Sequence, residues 1–206
     1  MSVNLTILEQ YNSLTPAEIE EKSEEALDWF REALRNVRIS PTTLVDEGVL
    51  LKQAQPLIGM MVMFTYDAKT KKKLPYWDRF PVAIIVDVDE GNDTFLAMNL
   101  HYIQPLQRVQ FLSELFELVR DYGEEDGVED IFAKRIFITY DFLKTSSRMK
   151  YFRPCLKRYI GGRIGRGIRV VPFKYWDVAA MLPSQQWVGA TGNTVYADSR
   201  RIIANA

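Results

Sequence analysis

The chain has 206 residues, which is enough for one main domain with an arm but not for two large domains. Hydrophobic residues make up 47% of the chain and charged residues 26%, a composition that excludes wholesale disorder. The formal net charge of -1 conceals a separation of acidic and basic segments, and this separation is what bears on possible partners.

Residues 1–56 are predicted to form an acidic helical arm. Its helix begins near Thr15, which can act as a cap, followed by Pro16 at the first helical position and Glu18 to complete a capping box. Apolar residues then recur at helical spacing as far as Val37. This apolar stripe must pack either on the chain's own domain or on a neighbouring protein.

Strands are predicted after the arm, where the apolar pattern changes to a period of two. The first strand is predicted over 59–66, and a polar loop follows at 67–73. Residues 81–88 and 94–100 are rich in β-branched and other apolar residues and are predicted to form a hairpin. A closing strand is predicted over 168–171.

Helices are predicted in the second half of the chain. Apolar residues at helical spacing predict a helix over 105–122, and 141–149 also has helical character. The segment 131–140 fits a helix or a strand. A short helix over 175–182 should stop before Pro183, and the remainder of the chain is predicted to be an irregular tail.

The chain offers few groups for catalysis. His101 and Cys155 are its one histidine and one cysteine, and both are expected to be structural, the first hydrogen-bonded and the second in the core. Two such side chains cannot supply the four ligands of a structural zinc ion. Glu129, Asp130 and Lys134 are interpreted as part of a solvated acidic loop rather than a nuclease site. We therefore expect no enzyme, no metal and no cofactor.

A basic tract without acidic residues extends over 146–175, in contrast to the acidic segment at 121–130. Arginines of the tract, which includes a flexible glycine-rich loop at 161–167, can bind DNA phosphates while aromatic rings stack on bases. The alternatives are an acidic partner protein or the chain's own acidic segment. The predicted contact residues are Arg148, Lys150, Arg153, Lys157, Arg158, Arg163, Arg166, Arg169 and Lys174, with Tyr151, Phe152 and Tyr159 as aromatic contacts.

Several segments resemble a known group of proteins. They are FTYDAKTK from Phe64, LPYWDRFP from Leu74, NLHY from Asn99, KYFRPCLKRY from Lys150, WD from Trp176, MLP from Met181 and DSRR from Asp198. Across residues 60–201 the chain resembles small virion proteins of T-even-type contractile-tailed phages. Within that group it is most similar to the DNA end protectors, which are head-completion proteins.

The resemblance implies an α+β fold with a small SH3-like β-barrel and helical insertions, in agreement with the predicted strands. With the N-terminal helical arm and the irregular C-terminal tail, this predicts three parts. They are the arm at 1–56, the barrel-like domain at 57–183 and the tail at 184–206.

The resemblance also implies a non-enzymatic virion assembly protein, one that completes the phage head and protects the genome terminus by binding it. The alternative is a structural neck, tail or baseplate subunit that contacts only proteins. Expected partners are other virion proteins of the portal, neck, tail or baseplate, together with the DNA terminus. We expect several copies in a ring and no membrane contact. We also expect synthesis in the host cytoplasm, because the first residues lack a signal-peptide pattern.

Overall fold

The computed structural model describes residues 49–50, 58–105, 107–108, 111–112, 140, 152–165, 167–171 and 175–205. Nearly all of the predicted arm lies outside these residues. The acidic segment at 121–130 and the predicted helix at 141–149 also lie outside them. Val49–Leu50, at the end of the predicted arm, form a strand on the main sheet.

Eight strands and two α-helices have both ends within the described residues, so the fold is a mixture of sheet and helix in which sheet predominates. The described residues of the predicted helix at 105–122, which are 105, 107, 108, 111 and 112, are also helical, and the rest of that helix lies outside the described residues. The strands are β1 (Val49–Leu50), β2 (Met61–Met63), β3 (Trp77–Asp78), β4 (Val82–Asp89), β5 (Thr94–Asn99), β6 (Leu156–Ile160), β7 (Arg169–Val170) and β8 (Trp187–Val188). The helices are α1 (Trp176–Met181) and α2 (Gly192–Ala204). Six strands form an antiparallel sheet in the order β1-β7-β2-β4-β5-β6, and β3 pairs with β8 in a separate two-stranded sheet.

The predicted β4–β5 hairpin is confirmed. The β-branched run of β4 is buried from Val82 to Val86, as expected for a strand covered on both faces. The strands are joined by a 3-10 turn at Glu90–Asn92, in which the Asp89 carboxylate accepts a hydrogen bond from the Asn92 N–H. Asp93 then adopts a left-handed conformation with φ of 50°, which polar residues with short side chains tolerate in turns.

The sheet has a hydrophobic cluster on each face, because alternate residues of a strand point to opposite sides. Met61 and Met63 belong to the larger cluster, which also contains apolar residues of α1 and α2. Val62 belongs to a smaller cluster with aromatic residues of β5 and β6. The core therefore lies on both sides of β2, β4 and β5, and this fixes the loops that follow them.

The predicted barrel is not confirmed. An isolated bridge joins Tyr66 to Ile164, and the Gly165 N–H donates a hydrogen bond to the Thr65 carbonyl at 2.8 Å. The chain after β6 thus approaches the chain after β2. Across the described ranges, however, no continuous ladder joins β1 to β6, so the sheet is not a closed barrel.

The predicted short helix at 175–182 is confirmed by α1, which ends before Pro183. The prediction of an irregular C-terminal tail was wrong, since α2 occupies most of it. Thr191 caps α2 by accepting a hydrogen bond from the Thr194 N–H, and the buried Val195 fixes the helix on the core.

Polar contacts also hold α2 in place. Ser199 Oγ donates a 2.6 Å hydrogen bond to the Tyr102 carbonyl. The buried Arg108 donates to the carbonyl of Ala180 in α1 and to the Tyr196 hydroxyl in α2. None of the helices within the described part of the chain is long and apolar enough to cross a membrane.

Candidate nucleic-acid interface

Five of the nine predicted basic residues are described, and these five do not share one surface. Arg148, Lys150, Arg166, Lys174 and the aromatic Tyr151 lie outside the described residues. Those that are described occupy separate positions on β6, on β7 and in the turns before and after β6.

The bases of β6 face in different directions, as alternation along a strand requires. Lys157 is partly buried, its Nζ lies 4.0 Å from the centroid of the Tyr102 ring, and burial lowers its pKa. Arg158 is exposed and donates a hydrogen bond to Thr94 Oγ1 at 3.2 Å. Arg153, in the 3-10 turn before β6, is also exposed, and Arg169 on β7 is partly buried.

The described aromatic residues of the predicted set contribute to the core. Tyr159 is 4% exposed, its hydroxyl accepts a hydrogen bond from Asn99 Nδ2, and its ring stacks on Phe95 with the ring centroids 5.4 Å apart. Phe152 is partly buried and packs on Phe111 at a centroid distance of 4.5 Å. The ring of Tyr159 therefore has no face open to a base.

A basic surface lies on the loop between β2 and β3, which was predicted only as a polar loop. Residues 67–74, here called the lysine loop, include four exposed lysines, Lys69, Lys71, Lys72 and Lys73. The N–H groups of Lys73 and Leu74 both donate to the Thr70 carbonyl, which folds the loop into a turn. Four lysines within five positions were the signal for this surface.

The lysine loop borders a cleft of about 340 Å³, here called the arginine cleft. Backbone hydrogen bonds bring four segments of chain together around it. The Tyr66 N–H donates to the Arg79 carbonyl, the Arg79 N–H donates to the Gln186 carbonyl, and the Asp67 N–H donates to the Arg163 carbonyl. The cleft is lined by Thr65, Tyr66, Asp67, Arg79, Gly162, Arg163, Ile164, Gly165 and Gln186.

Charges of both signs meet in the arginine cleft. The Asp67 carboxylate lies 2.5 Å from Lys71 Nζ and 3.9 Å from an Arg163 guanidinium nitrogen. The hydrogen bond from Lys71 is the main cause that lowers the pKa of Asp67. Arg79 is exposed, and its side chain forms no ion pair with any residue that the structure describes. Cations therefore outnumber the single carboxylate.

Two glycines allow close approaches in this region: Gly165 lies in the wall of the cleft, and Gly161 lies just before it, against the turn that ends at Asp93. A Cβ atom on Gly165 would lie 2.2 Å from Thr65 Oγ1, and one on Gly161 would lie 2.0 Å from Asp93 Oδ1. Both distances are too short for any side chain. The glycine-rich segment, predicted as a flexible loop, forms a 3-10 turn at Gly161–Arg163 and then the bridge at Ile164.

A buried Asp–His–Ser arrangement lies beneath this surface. Asp78 Oδ2 is 2.6 Å from His101 Nδ1, and Ser184 Oγ is 3.2 Å from His101 Nε2. A catalytic triad would need its histidine to reach a substrate. His101 is 0% exposed, which excludes that role in this conformation.

The arrangement instead connects strands and loops, as the structural interpretation of His101 predicted. Asp78 also accepts hydrogen bonds from the Phe80 and Gln186 N–H groups and from Asn99 Nδ2. Burial lowers the pKa of His101, so its imidazole is neutral at neutral pH. The network joins β3, the end of β5 and the chain before β8.

Cys155 is also part of the core, as predicted. It is fully buried, and burial raises the pKa of its thiol to about 12, so it is not a nucleophilic thiolate at neutral pH. Within the described segments, no group of three or more His, Cys, Asp or Glu residues could hold a metal ion.

Comparison with families of known proteins gives a match. Residues 8–205 match the family model described as Phage T4 terminal DNA protecting protein. No match was found among curated proteins or among solved structures. The family match extends over nearly the whole chain and confirms the resemblance to phage DNA end protectors.

Proposed function

Since the chain belongs to the family of the phage T4 terminal DNA protecting protein, we propose that it binds the end of the packaged phage genome and shields it from degradation. It does so as a component of the virion and without enzymatic activity. The lysine loop and the arginine cleft form the described surface that is best suited to this binding.

The observation that carries the proposal is the position of the basic side chains relative to one another. The backbone hydrogen bonds of Tyr66 and Asp67 hold Arg79 and Arg163 beside the start of the lysine loop. The loop with four exposed lysines is thereby adjacent to two arginines of the cleft. Exposed cations on one surface neutralise phosphates and release counterions, which is the main source of DNA affinity that does not depend on sequence.

The basic residues predicted from the sequence contribute in part. Arg163 belongs to the cleft, and the exposed Arg153 and Arg158 can extend the contact along β6. Tyr159 is left out of the proposed contact set because its ring is buried. The predicted residues outside the described ranges remain candidates for the same role.

Binding to open and to closed DNA ends tests this function. A blunt linear duplex should bind more tightly than a covalently closed circle of the same sequence and length. Replacing Lys69, Lys71, Lys72 and Lys73 with Ala should weaken binding and reduce the slope of log affinity against log salt by about 0.9 for each phosphate that the variant no longer neutralises. Equal affinity for the open duplex and the closed circle would contradict end binding.

The position in the particle and the wider fold are part of the proposal. We place the protein at the completed head, beside portal or neck proteins and in several copies. The strand order β7-β2-β4-β5-β6, the 3-10 turn after β6 and the Tyr66–Ile164 bridge support an SH3-like arrangement. If the chain binds no DNA at physiological salt, the alternative of a neck, tail or baseplate subunit that contacts only proteins becomes the better function.

A further inference from the structure

Terminal and internal phosphates of DNA differ in charge. An internal phosphodiester carries one negative charge. A terminal phosphate is a monoester with a second pKa near 6, so at neutral pH it carries about -1.5 to -2. A site with two uncompensated positive charges therefore favours the end of a strand over its interior.

The arginine cleft has this balance of charge. Lys71 is the closer partner of Asp67 at 2.5 Å, whereas Arg163 is 3.9 Å away, so Lys71 offsets most of the carboxylate's charge. The guanidinium groups of Arg163 and Arg79 then remain for a ligand. Each can donate two parallel N–H groups to phosphate oxygens, a geometry that suits a phosphate with three free oxygens.

The size of the cleft also favours a strand end. At about 340 Å³ it lies near the lower limit for ligand sites, which matches a small ligand rather than a length of duplex. A terminal phosphate can enter such a cleft with only one nucleotide following it. An internal phosphate could enter the cleft only together with the nucleotides on both of its sides.

The walls of the cleft are held before any ligand arrives. The Tyr66 ring packs edge to face on Tyr159, with the ring centroids 4.9 Å apart, and the Gly165 backbone approaches Thr65 closely. Backbone hydrogen bonds fix the segments that carry Arg79 and Arg163. A site whose backbone is already ordered loses less entropy on binding.

We propose that the arginine cleft is a binding site for the terminal phosphate of a DNA strand, held by Arg79 and Arg163. The inference rests on the proposed function and adds the group that is recognised. DNA ends are then distinguished by a phosphate monoester rather than by the shape of the duplex alone.

The test uses the full chain and blunt duplexes that differ only at their ends. The ends carry a 5′-phosphate, a 3′-phosphate or hydroxyl groups only, and a fourth duplex has both ends closed by hairpins. We expect a phosphorylated end of one polarity to bind about tenfold more tightly than the hydroxyl end, the lower limit for losing one hydrogen bond to a charged group. Equal affinities for phosphorylated and hydroxyl ends would overturn the inference.

The same measurement separates this inference from the proposed function. Tighter binding to all open duplexes than to the hairpin-closed one, without any phosphate preference, would leave end binding intact and remove the terminal-phosphate site. No difference between open and closed duplexes would remove both.

Variants assign the preference to the cleft. The double variant R79Q/R163Q should reduce the ratio of affinities for phosphorylated and hydroxyl ends to about one, with the fold checked by thermal unfolding. The variant R200Q/R201Q removes the same number of positive charges from exposed positions on α2 and should keep the ratio. A ratio that survives in R79Q/R163Q would contradict the assignment.

Discussion

Among the described residues that line the arginine cleft, Asp67 is the one carboxylate, and it lies between Lys71 and Arg163. Its carboxylate competes with a DNA phosphate for both cations. Replacing Asp67 with Asn removes the negative charge and preserves the shape of the side chain. We expect Asp67→Asn to bind DNA more tightly, by no more than about fivefold, because exposed ion pairs contribute little to the free energy. Titration of labelled duplex at two salt concentrations measures the change, which should shrink at the higher salt.

The control for this prediction is Glu90→Gln, which makes the same change of net charge on the exposed turn between β4 and β5. It should leave DNA affinity nearly unchanged. An equal gain in both variants would mean that only the overall charge of the molecule matters, and not the position of Asp67 in the cleft.

His101 gives the fold a defined pH dependence. Its pKa is lowered by burial, which outweighs the opposing effect of Asp78, so the unfolded chain binds a proton at a higher pH than the folded chain does. The stability is therefore fully present above the unfolded pKa of about 6.5 and is lost as pH falls below it, by at most about 1.4 kcal/mol per pH unit. Urea unfolding at pH 7.5, 6.0 and 5.0 measures this loss.

His101→Gln provides the comparison, because His101 is the one histidine in the sequence. The variant should be less stable at pH 7.5, since it lacks the Asp78 and Ser184 contacts of the imidazole. Its stability should also change little between pH 7.5 and 6.0. An unchanged pH dependence in the variant would show that His101 is not the group responsible.

The sequence identifies the chemistry of single residues better than their positions relative to one another. The lysines of the lysine loop are visible as a run of like residues, and the core role of Cys155 follows from the usual burial of a free cysteine. The meeting of Arg79 and Arg163 has no local signal, because it depends on the bridge between Tyr66 and Ile164. Tyr159 occurs among basic residues in the sequence, but its position in β6 directs its side chain into the core.

At the scale of elements, Gly165 sets the distance between two walls of the arginine cleft. A Cβ there would lie 2.2 Å from Thr65 Oγ1, so either the β-branched side chain of Thr65 or the backbone would have to shift. We expect Gly165→Ala to lower stability by about 1–3 kcal/mol, as overpacking does. It should also reduce the preference for phosphorylated ends, measured with the same set of duplexes.

Gly162 is the matched control, since it lines the same cleft but has more space. A Cβ on Gly162 would be 3.6 Å from Asp93 Oδ2, which is ordinary van der Waals contact, and its N–H can still donate to that carboxylate. Gly162→Ala should keep both stability and the preference for phosphate. If it lost the preference as Gly165→Ala does, the close approach at Thr65 would not be the cause.

Elements with a clear apolar pattern could be predicted, and elements without one could not. The buried run of β4, the alternating residues of β2 and the stop at Pro183 after α1 follow directly from local rules. The pair β3 and β8 has two residues in each strand, too few for a period to appear. β6 was missed because Lys157 and Arg158 interrupt its apolar residues, and α2 because it is mostly polar and buries few side chains.

The whole molecule combines a net charge of -1 with a surface that carries four lysines and two arginines. Such a protein is not drawn strongly to DNA along its entire length, since the average field of a nearly neutral protein is weak. Binding should therefore depend on bringing the lysine loop and the arginine cleft to one place on the duplex. The proposed terminal-phosphate site implies that this place is the end of the duplex.

We therefore expect protection of DNA to be limited to its ends. With the protein in modest excess over ends, digestion of a linear duplex by an exonuclease should slow at least about tenfold, while cleavage of the same duplex by an endonuclease at an internal site should be unchanged. Both rates are measured on one labelled fragment by gel electrophoresis. The variant lacking the four lysines should lose the protection, because the phosphate contacts beside the end are what keep the terminus bound against competition. Equal slowing of both nucleases would instead indicate a protein that coats the duplex, and a terminal site would then explain none of the protection.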